Sequence, residues 1–290
     1  MADAFAFLQS VAPDYGATLV ATSGGGHAEI TVIRPGGSRH TFQLAVTVDG
    51  AIVTVQELSG QSALPKFCPD RHINWNSTFC LGWGEDNPST VMDAEAARRW
   101  WSAVNQFLAR QVNADKRGIF PGGEHGRAHG DAARHQSNAE EAAARLGQAF
   151  AQKALSGQFS VRKDDRPGKR RLELWLGADR IARVSTRSKS LVGGHMLCPC
   201  GNVPPREISE CSEHAKDLAT FILEHHNCAE ADRAFLDGLA SQGDACCGTL
   251  KTCGLREAIK RNRTAVKTKE KPHARQSKFW RPPAKSKRPR

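Results

Sequence analysis

The sequence predicts an α+β protein: an N-terminal helix, a four-stranded antiparallel meander and further helices, then a small Cys-rich domain and a basic tail. Three observations carry this. Alternating apolar runs broken by glycines fill residues 17–58, and an apolar stripe at helical spacing fills 94–112. Seven of the nine cysteines fall in the 56 residues from Cys198 to Cys253. At 290 residues the chain is long enough for two cores. The expected division is 1–155, 156–262 as a Cys/His-rich α+β domain, and 263–290 as a disordered basic tail.

Residues 4–12 place Phe5, Leu8, Val11 and Ala12 on one helical face. Four strand-like runs follow: Ala17–Thr22, Ala28–Arg34, Thr41–Val48 and Ala51–Leu58. Gly24-Gly25-Gly26, Pro35-Gly36-Gly37 and Asp49-Gly50 separate them as turn signals, which predicts a meander. Ala97, Trp100, Trp101, Val104, Phe107, Leu108 and Val112 form the next helical stripe, with the tryptophans read as core. Ser137 to Glu140 reads as a capping box opening another helix, with Ala142, Ala143, Leu146, Ala149 and Phe150 on one side. Further on, Gln158–Lys163, Arg171–Gly177 and Arg180–Thr186 read as short strands, and Leu218, Phe221, Ile222 and His225 as a helix.

The net charge of +11 is concentrated in one place. From Arg256 to Arg290 there are 14 Lys and Arg against 2 Asp and Glu, a net +12, so the other 255 residues stand at −1. A neutral body with a basic tail argues against a nucleic-acid-binding protein with a basic folded surface. It leaves weak polyanion contact through the tail. No apolar run approaches the ~20 residues of a membrane span, and Met-Ala-Asp-Ala lacks the basic start of a signal peptide. A cytoplasmic location is therefore expected, with no membrane contact and with cysteines kept as reduced thiols or metal ligands.

The chemistry concentrates in Pro69–Trp83. A polar loop with Asn74, Asn76, Ser77 and Thr78 runs into Cys80, which sits between Phe79 and Leu81, with His72 eight positions earlier. Asn, Ser and Thr favour turns because their side chains bond nearby backbone. Flanking apolar residues anchor the loop and leave the thiol at its edge. His72, Asn74 and Asn76 are candidate partners for an oxyanion formed at Cys80. Cys68, between Phe67 and Pro69, reads as structural.

This segment resembles the active-site loop of ubiquitin-conjugating enzymes, where a His-Pro-Asn tripeptide leads to an aliphatic-Cys-Leu segment. In more detail it looks like the bacterial members found in ubiquitin-like conjugation operons. The resemblance covers roughly residues 1–155, whose element order is that of the ubiquitin-conjugating fold. The family's Asn lies eight residues before the cysteine, and His72 stands in that place here. The resemblance implies a transferase that carries a ubiquitin-like protein as a thioester on Cys80 and passes it to a lysine amine of a target protein. It implies loading by an ATP-using, ubiquitin-activating-like enzyme and a setting in bacterial antiviral defence. No nucleotide-binding glycine motif occurs here, so no nucleotide is expected on this chain. Glu85, Asp86 and His129 are candidates to deprotonate the incoming amine. A glycine-rich stretch carrying His125, His129 and His135, with Glu124 and Asp131, is similar to one in bacterial relatives and forms a candidate wall of the site.

Cys198, Cys200, Cys211 and His214 can supply four zinc ligands: Cys-x-Cys closes a tight turn, and the other two lie a helix turn apart. Cys228, Cys246, Cys247 and Cys253 are candidates to complete or replace that set. A structural zinc is the expected cofactor. Two other readings compete with the transferase: a non-catalytic binding module with the conjugating fold, and a zinc-stabilised nucleic-acid-binding protein. A cysteine hydrolase fits less well, because its thiol needs a dedicated His–Asp/Asn pair.

Overall fold

The computed structural model describes residues 3–269 except 35–36, 85–86, 122–127, 165, 167, 169, 194–195 and 201–204, and excludes the side chains of 212 and 265–269. Two antiparallel four-stranded sheets and six α-helices build a mixed α/β chain among these residues.

Helix α1 (Ala4–Val11) starts at Asp3, whose carboxylate accepts the Phe5 N–H. Strands β1 (Ala17–Thr22), β2 (Gly25–Ile33), β3 (Arg39–Asp49) and β4 (Ile52–Glu57) then form a meander in chain order. Strict alternation buries one face: Leu19, Ala28, Ile30, Val32, Phe42, Leu44, Val46, Val53 and Val55 point inward. Gly25 and Gly26 belong to β2 rather than to a turn. A Cβ on Gly25 would sit 2.1 Å from the Val46 carbonyl oxygen, and one on Gly26 would sit 2.6 Å from the Phe5 ring. The glycines thus let α1 and β3 approach closely.

Helix α2 (Ala94–Arg117) extends five residues past the predicted stripe and ends at Gly118, whose φ is 68°. Trp100, Trp101, Val104, Phe107 and Leu108 are buried against the sheet and α1, and the Trp101 indole N–H donates to the Leu8 carbonyl at 2.9 Å.

Helices α3 (Asp131–Arg145) and α4 (Gln148–Leu155) follow, then β5 (Phe159–Lys163), β6 (Arg171–Leu176), β7 (Asp179–Ser185) and β8 (Ser190–Leu191). Ser137 lies inside α3, so the expected capping box is corrected: the N-cap is Gly130, seven residues earlier. Gly147, at φ 106°, separates α3 from α4. Both helices bury their apolar sides, including Ala139, Ala142, Leu146 and Phe150, among Phe159, Leu172, Leu174 and Phe221 of the second sheet and of α5 (Ser212–Gln242).

Helix α6 (Gly254–Lys269) corrects the expected start of disorder, because regular structure continues through 263–269. Residues 270–290 of the predicted tail lie outside the described residues. A third apolar cluster joins Cys68 and Ala114 to Leu236, Leu250, Cys253, Leu255 and Ala258, tying the first half to α5 and α6. No helix among the described residues is long and apolar enough to cross a membrane.

Candidate active site and metal centre

The free edge of β4 positions Cys80. Phe79 N–H donates to the Val55 carbonyl at 2.8 Å, and Gln56 bridges Thr78. The buried Phe79 ring stacks on Phe107 of α2, with centroids 4.4 Å apart. One backbone direction and one packed ring therefore fix the residue before the thiol. On the other side, Cys80 N–H donates to the His72 carbonyl at 2.9 Å.

His72 ends a short 3₁₀ turn, Pro69–Arg71, and adopts the left-handed conformation with φ 56° and ψ 38°. Asn, Asp and His are the side chains most often tolerated there. A left-handed backbone accounts for either residue at this position.

A buried polar clamp holds the turn. Arg71 is fully buried; its Nε–H donates to Gln111 Oε1 at 2.6 Å, and Gln111 donates back to the Arg71 carbonyl at 2.8 Å. Asp115 pairs with the Arg71 guanidinium at 2.7 Å, which neutralises a charge that would otherwise be costly to bury.

His72, Cys80, Leu81, Gly82, Phe107, Arg110 and Phe120 line a small pocket at the thiol. His72 and Phe120 also line a larger cleft with Asp70, His129, Glu140 and Asp232, so the two openings share a wall. Burial raises the Cys80 pKa, partly offset by a backbone interaction at Gly82. His72 falls to about 4, first because it is buried and then because His129 and Arg110 are positive neighbours. At neutral pH its imidazole is uncharged.

His129 has the opposite electrostatics. Its Nδ1 lies 2.7 Å from Asp232 Oδ1, and its Nε2 lies 2.9 Å from the Pro69 carbonyl. Both partners are acceptors, so only the imidazolium, with two N–H groups, satisfies both. Burial is the largest influence and lowers its pKa, but Asp232 and the Pro69 carbonyl outweigh it and the net shift is upward. The ring stacks between Phe235 at 5.0 Å and His72 at 5.4 Å. With both nitrogens engaged, His129 is placed to hold the His72 loop rather than to take a proton from an amine.

The asparagines have other partners. Asn74 Nδ2–H donates to Thr78 Oγ1 at 3.0 Å, and Asn76 Oδ1 accepts from the Thr78 hydroxyl at 2.7 Å. They shape an exposed hairpin tip that carries Trp75, 83% exposed. His135 pairs with Glu224 at 2.6 Å, and Asp131 begins α3. Glu85, Asp86, Glu124 and His125 lie outside the described residues. Asp232, Phe235, Phe120, Arg110 and the Arg71–Gln111 clamp were not singled out from sequence; Asp232 lies 103 positions from His129, and nothing local marks it.

Cys198, Cys200, Cys211 and His214 form a compact group, their ligand atoms all within 4.8 Å of one another. A short hairpin carries the first two: Cys198 N–H donates to the Arg206 carbonyl and Ile208 N–H to the Met196 carbonyl, each at 2.8 Å. Cys211 caps α5, and His214 sits in its first turn with Nδ1 3.3 Å from Cys198 Sγ. A tetrahedral zinc with bonds of about 2.3 Å needs sulfurs roughly 3.8 Å apart, so this soft donor set fits such an ion. Burial first, and then the crowded Cys200 and Cys211 thiols, push Cys198 up to about 12, a strain that a cation relieves.

The other cysteines lie outside this group. Cys228 lines the large cleft. Cys246 and Cys253 are 3.1 Å apart, and Cys247 Sγ lies 3.0 Å from Cys68 Sγ.

Residues 22–122 match the family described as "Prokaryotic E2 domain". Residues 128–255 match the family described as "Cysteine-rich domain, C-terminal to E2 domain". No curated protein and no solved structure matches the chain.

Proposed function

The chain belongs to a prokaryotic E2-like family with a Cys-rich C-terminal domain, and on that premise we propose that it is an acyltransferase of ubiquitin-like conjugation with Cys80 as its nucleophile. The first sheet with α1, α2 and the loop between β4 and α2 constitutes the conjugating fold. We place its boundary with the Cys-rich domain between α2 and α3, because α3 and α4 pack with the second sheet. The observation that carries the reading is the placement of Cys80. Its thiol lines a small pocket, its amide is tied to His72, and the preceding residue is fixed to β4 and α2.

In the proposed cycle, an activating enzyme presents the C-terminal carbonyl of a ubiquitin-like protein as a thioester. The Cys80 thiolate attacks that carbonyl, the carbon–sulfur bond to the activating enzyme breaks, and the cargo resides on Cys80. A target lysine amine then attacks the new thioester, loses a proton, and expels the Cys80 thiolate. A raised thiol pKa makes Cys80 a stronger nucleophile once deprotonated and a poorer leaving group, so discharge is the step that needs help. Neutral His72 supplies a donor at the pocket wall for the oxyanion. Its low basicity argues against service as a general base.

Zinc is the ion proposed for Cys198, Cys200, Cys211 and His214, where it cross-links the 196–208 hairpin to the start of α5 as a structural centre.

The test uses the cognate ubiquitin-like protein, its activating enzyme and ATP. Wild-type protein forms an adduct that thiol reductant removes, Cys80→Ser forms one that resists reductant, and Cys80→Ala forms none. Loss of the adduct in Cys68→Ala with retention in Cys80→Ala would refute the assignment.

A further inference from the structure

We propose that Cys68 and Cys247 are a peroxide-sensitive thiol pair that closes to a disulfide, fastening the segment that enters the Cys80 loop to the loop before α6. The two sulfurs come from positions 179 residues apart and approach to 3.0 Å. Closing to a disulfide requires a movement of about 1 Å. Their surroundings give them different roles. Cys68 is 1% exposed, packed in the third apolar cluster with Ala114, Leu236 and Leu250. Cys247 is only partly buried, and an oxidant can reach it. Its sulfur lies 3.2 Å from the Thr249 hydroxyl, which in turn accepts from the buried Arg71 guanidinium at 3.1 Å. The Cys68 thiol first, and then the Thr249 hydroxyl, favour a thiolate at Cys247, the form that attacks peroxide.

The chemistry balances with hydrogen peroxide as oxidant. The Cys247 thiolate attacks one peroxide oxygen, the O–O bond breaks, and Cys247 becomes a sulfenic acid as hydroxide leaves. The Cys68 thiol attacks that sulfur, the S–O bond breaks, and the oxygen departs as water with the Cys68 proton. The hydroxide takes up the proton that Cys247 released on forming its thiolate, so two thiols lose two electrons and one peroxide becomes two waters.

The consequence falls on the candidate active site. Cys68 and Ile73 exchange both backbone hydrogen bonds, at 3.1 and 3.0 Å, around the turn that presents His72. A disulfide at Cys68 therefore anchors the base of that turn to the Cys-rich half. The pair is separate from the compact metal-holding group. Its nearest competitor is the Cys246–Cys253 pair, where Cys253 donates to Asp70 at 3.2 Å. The inference does not depend on the role of Cys80, whose thiol lies in a different pocket.

The experiment treats full-length, metal-replete protein with a few equivalents of hydrogen peroxide, alkylates the remaining thiols and maps the digest by mass spectrometry. The expected product is a peptide pair linked through Cys68 and Cys247, reversed by dithiothreitol, with Cys80 alkylated as fully as in untreated protein. Cys68→Ser should yield no linked pair and a dimedone-trapped sulfenic acid at Cys247, while Cys247→Ser should leave Cys68 a thiol. Linkage of Cys246 to Cys253 as the main product would overturn the proposal, as would oxidation of Cys80 before Cys247. Absence of the Cys68–Cys247 link, or loss of a metal equivalent in Cys247→Ser, would equally overturn it. If Cys68→Ser does not fold, the wild-type map decides alone.

Discussion

Replacing His72 by Asn removes one titratable ring while keeping a residue that tolerates φ 56°. Alanine is a poorer probe, because it also adds the cost of a left-handed backbone. The wild-type ring has its pKa lowered from 6.5 to about 4, principally by burial and secondarily by the His129 charge. A histidine held neutral in the folded state contributes stability above its unfolded pKa, and that contribution is lost as pH falls toward the folded value. Each pKa unit is worth about 1.36 kcal/mol, so the full contribution is roughly 3 kcal/mol, and about 2 kcal/mol is gone by pH 5. Urea unfolding of both proteins at pH 7.5 and pH 5 isolates this part, because carboxylates common to both cancel in the difference. His72→Asn should therefore lose about 2 kcal/mol less than wild type over that interval. Imidazole NMR of wild type should show the His72 ring, assigned by its loss in His72→Asn, still neutral at pH 5.5. Equal losses in the two proteins, or a His72 that titrates near 6.5, would refute the account of a buried ring held neutral well below its ordinary range.

Other outcomes follow from the same contacts. Asp232→Asn removes the counter-charge of His129, whose pKa is raised, so the lost stability is present below about pH 6.5 and fades as pH climbs through the elevated value. The expected cost at pH 6 is about 1–2 kcal/mol, kept low because Asp232 is a third exposed, with a smaller difference at pH 9 by urea unfolding. Gln111→Leu leaves the buried Arg71 Nε–H without its acceptor and should cost about 2 kcal/mol by the same measurement. Cys211→Ser should lower bound zinc by one equivalent in elemental analysis, and chelation should reduce protection of residues 196–214 in hydrogen exchange.

The sequence by itself determined the elements whose signals are local. Period-two alternation specified the four strands of the first sheet, because burying Leu19, Ile30, Leu44 and Val55 on one face rules out a one-residue slip. The glycines expected as the first turn, Gly25 and Gly26, are instead paired within β2. The stripe through Trp100, Trp101 and Leu108 specified α2 for the same reason at helical period. The grouping of Cys198, Cys200, Cys211 and His214 was visible because its members lie within a short stretch of chain.

What the tertiary structure decided involves partners far apart in sequence. Ser137 offered a credible helix start, yet α3 begins at Asp131, since its alanine face packs along α5 and outweighs a local cap. Helix α5 touches α3, α6 and the second sheet, so its apolar residues do not follow a single stripe, and its 31-residue length was not legible. The ionic state of His129 depends on Asp232, and the pairing of Cys247 depends on Cys68. A histidine or a thiol carries no sequence mark of its proton affinity; burial and the charges that folding brings within a few ångströms set it.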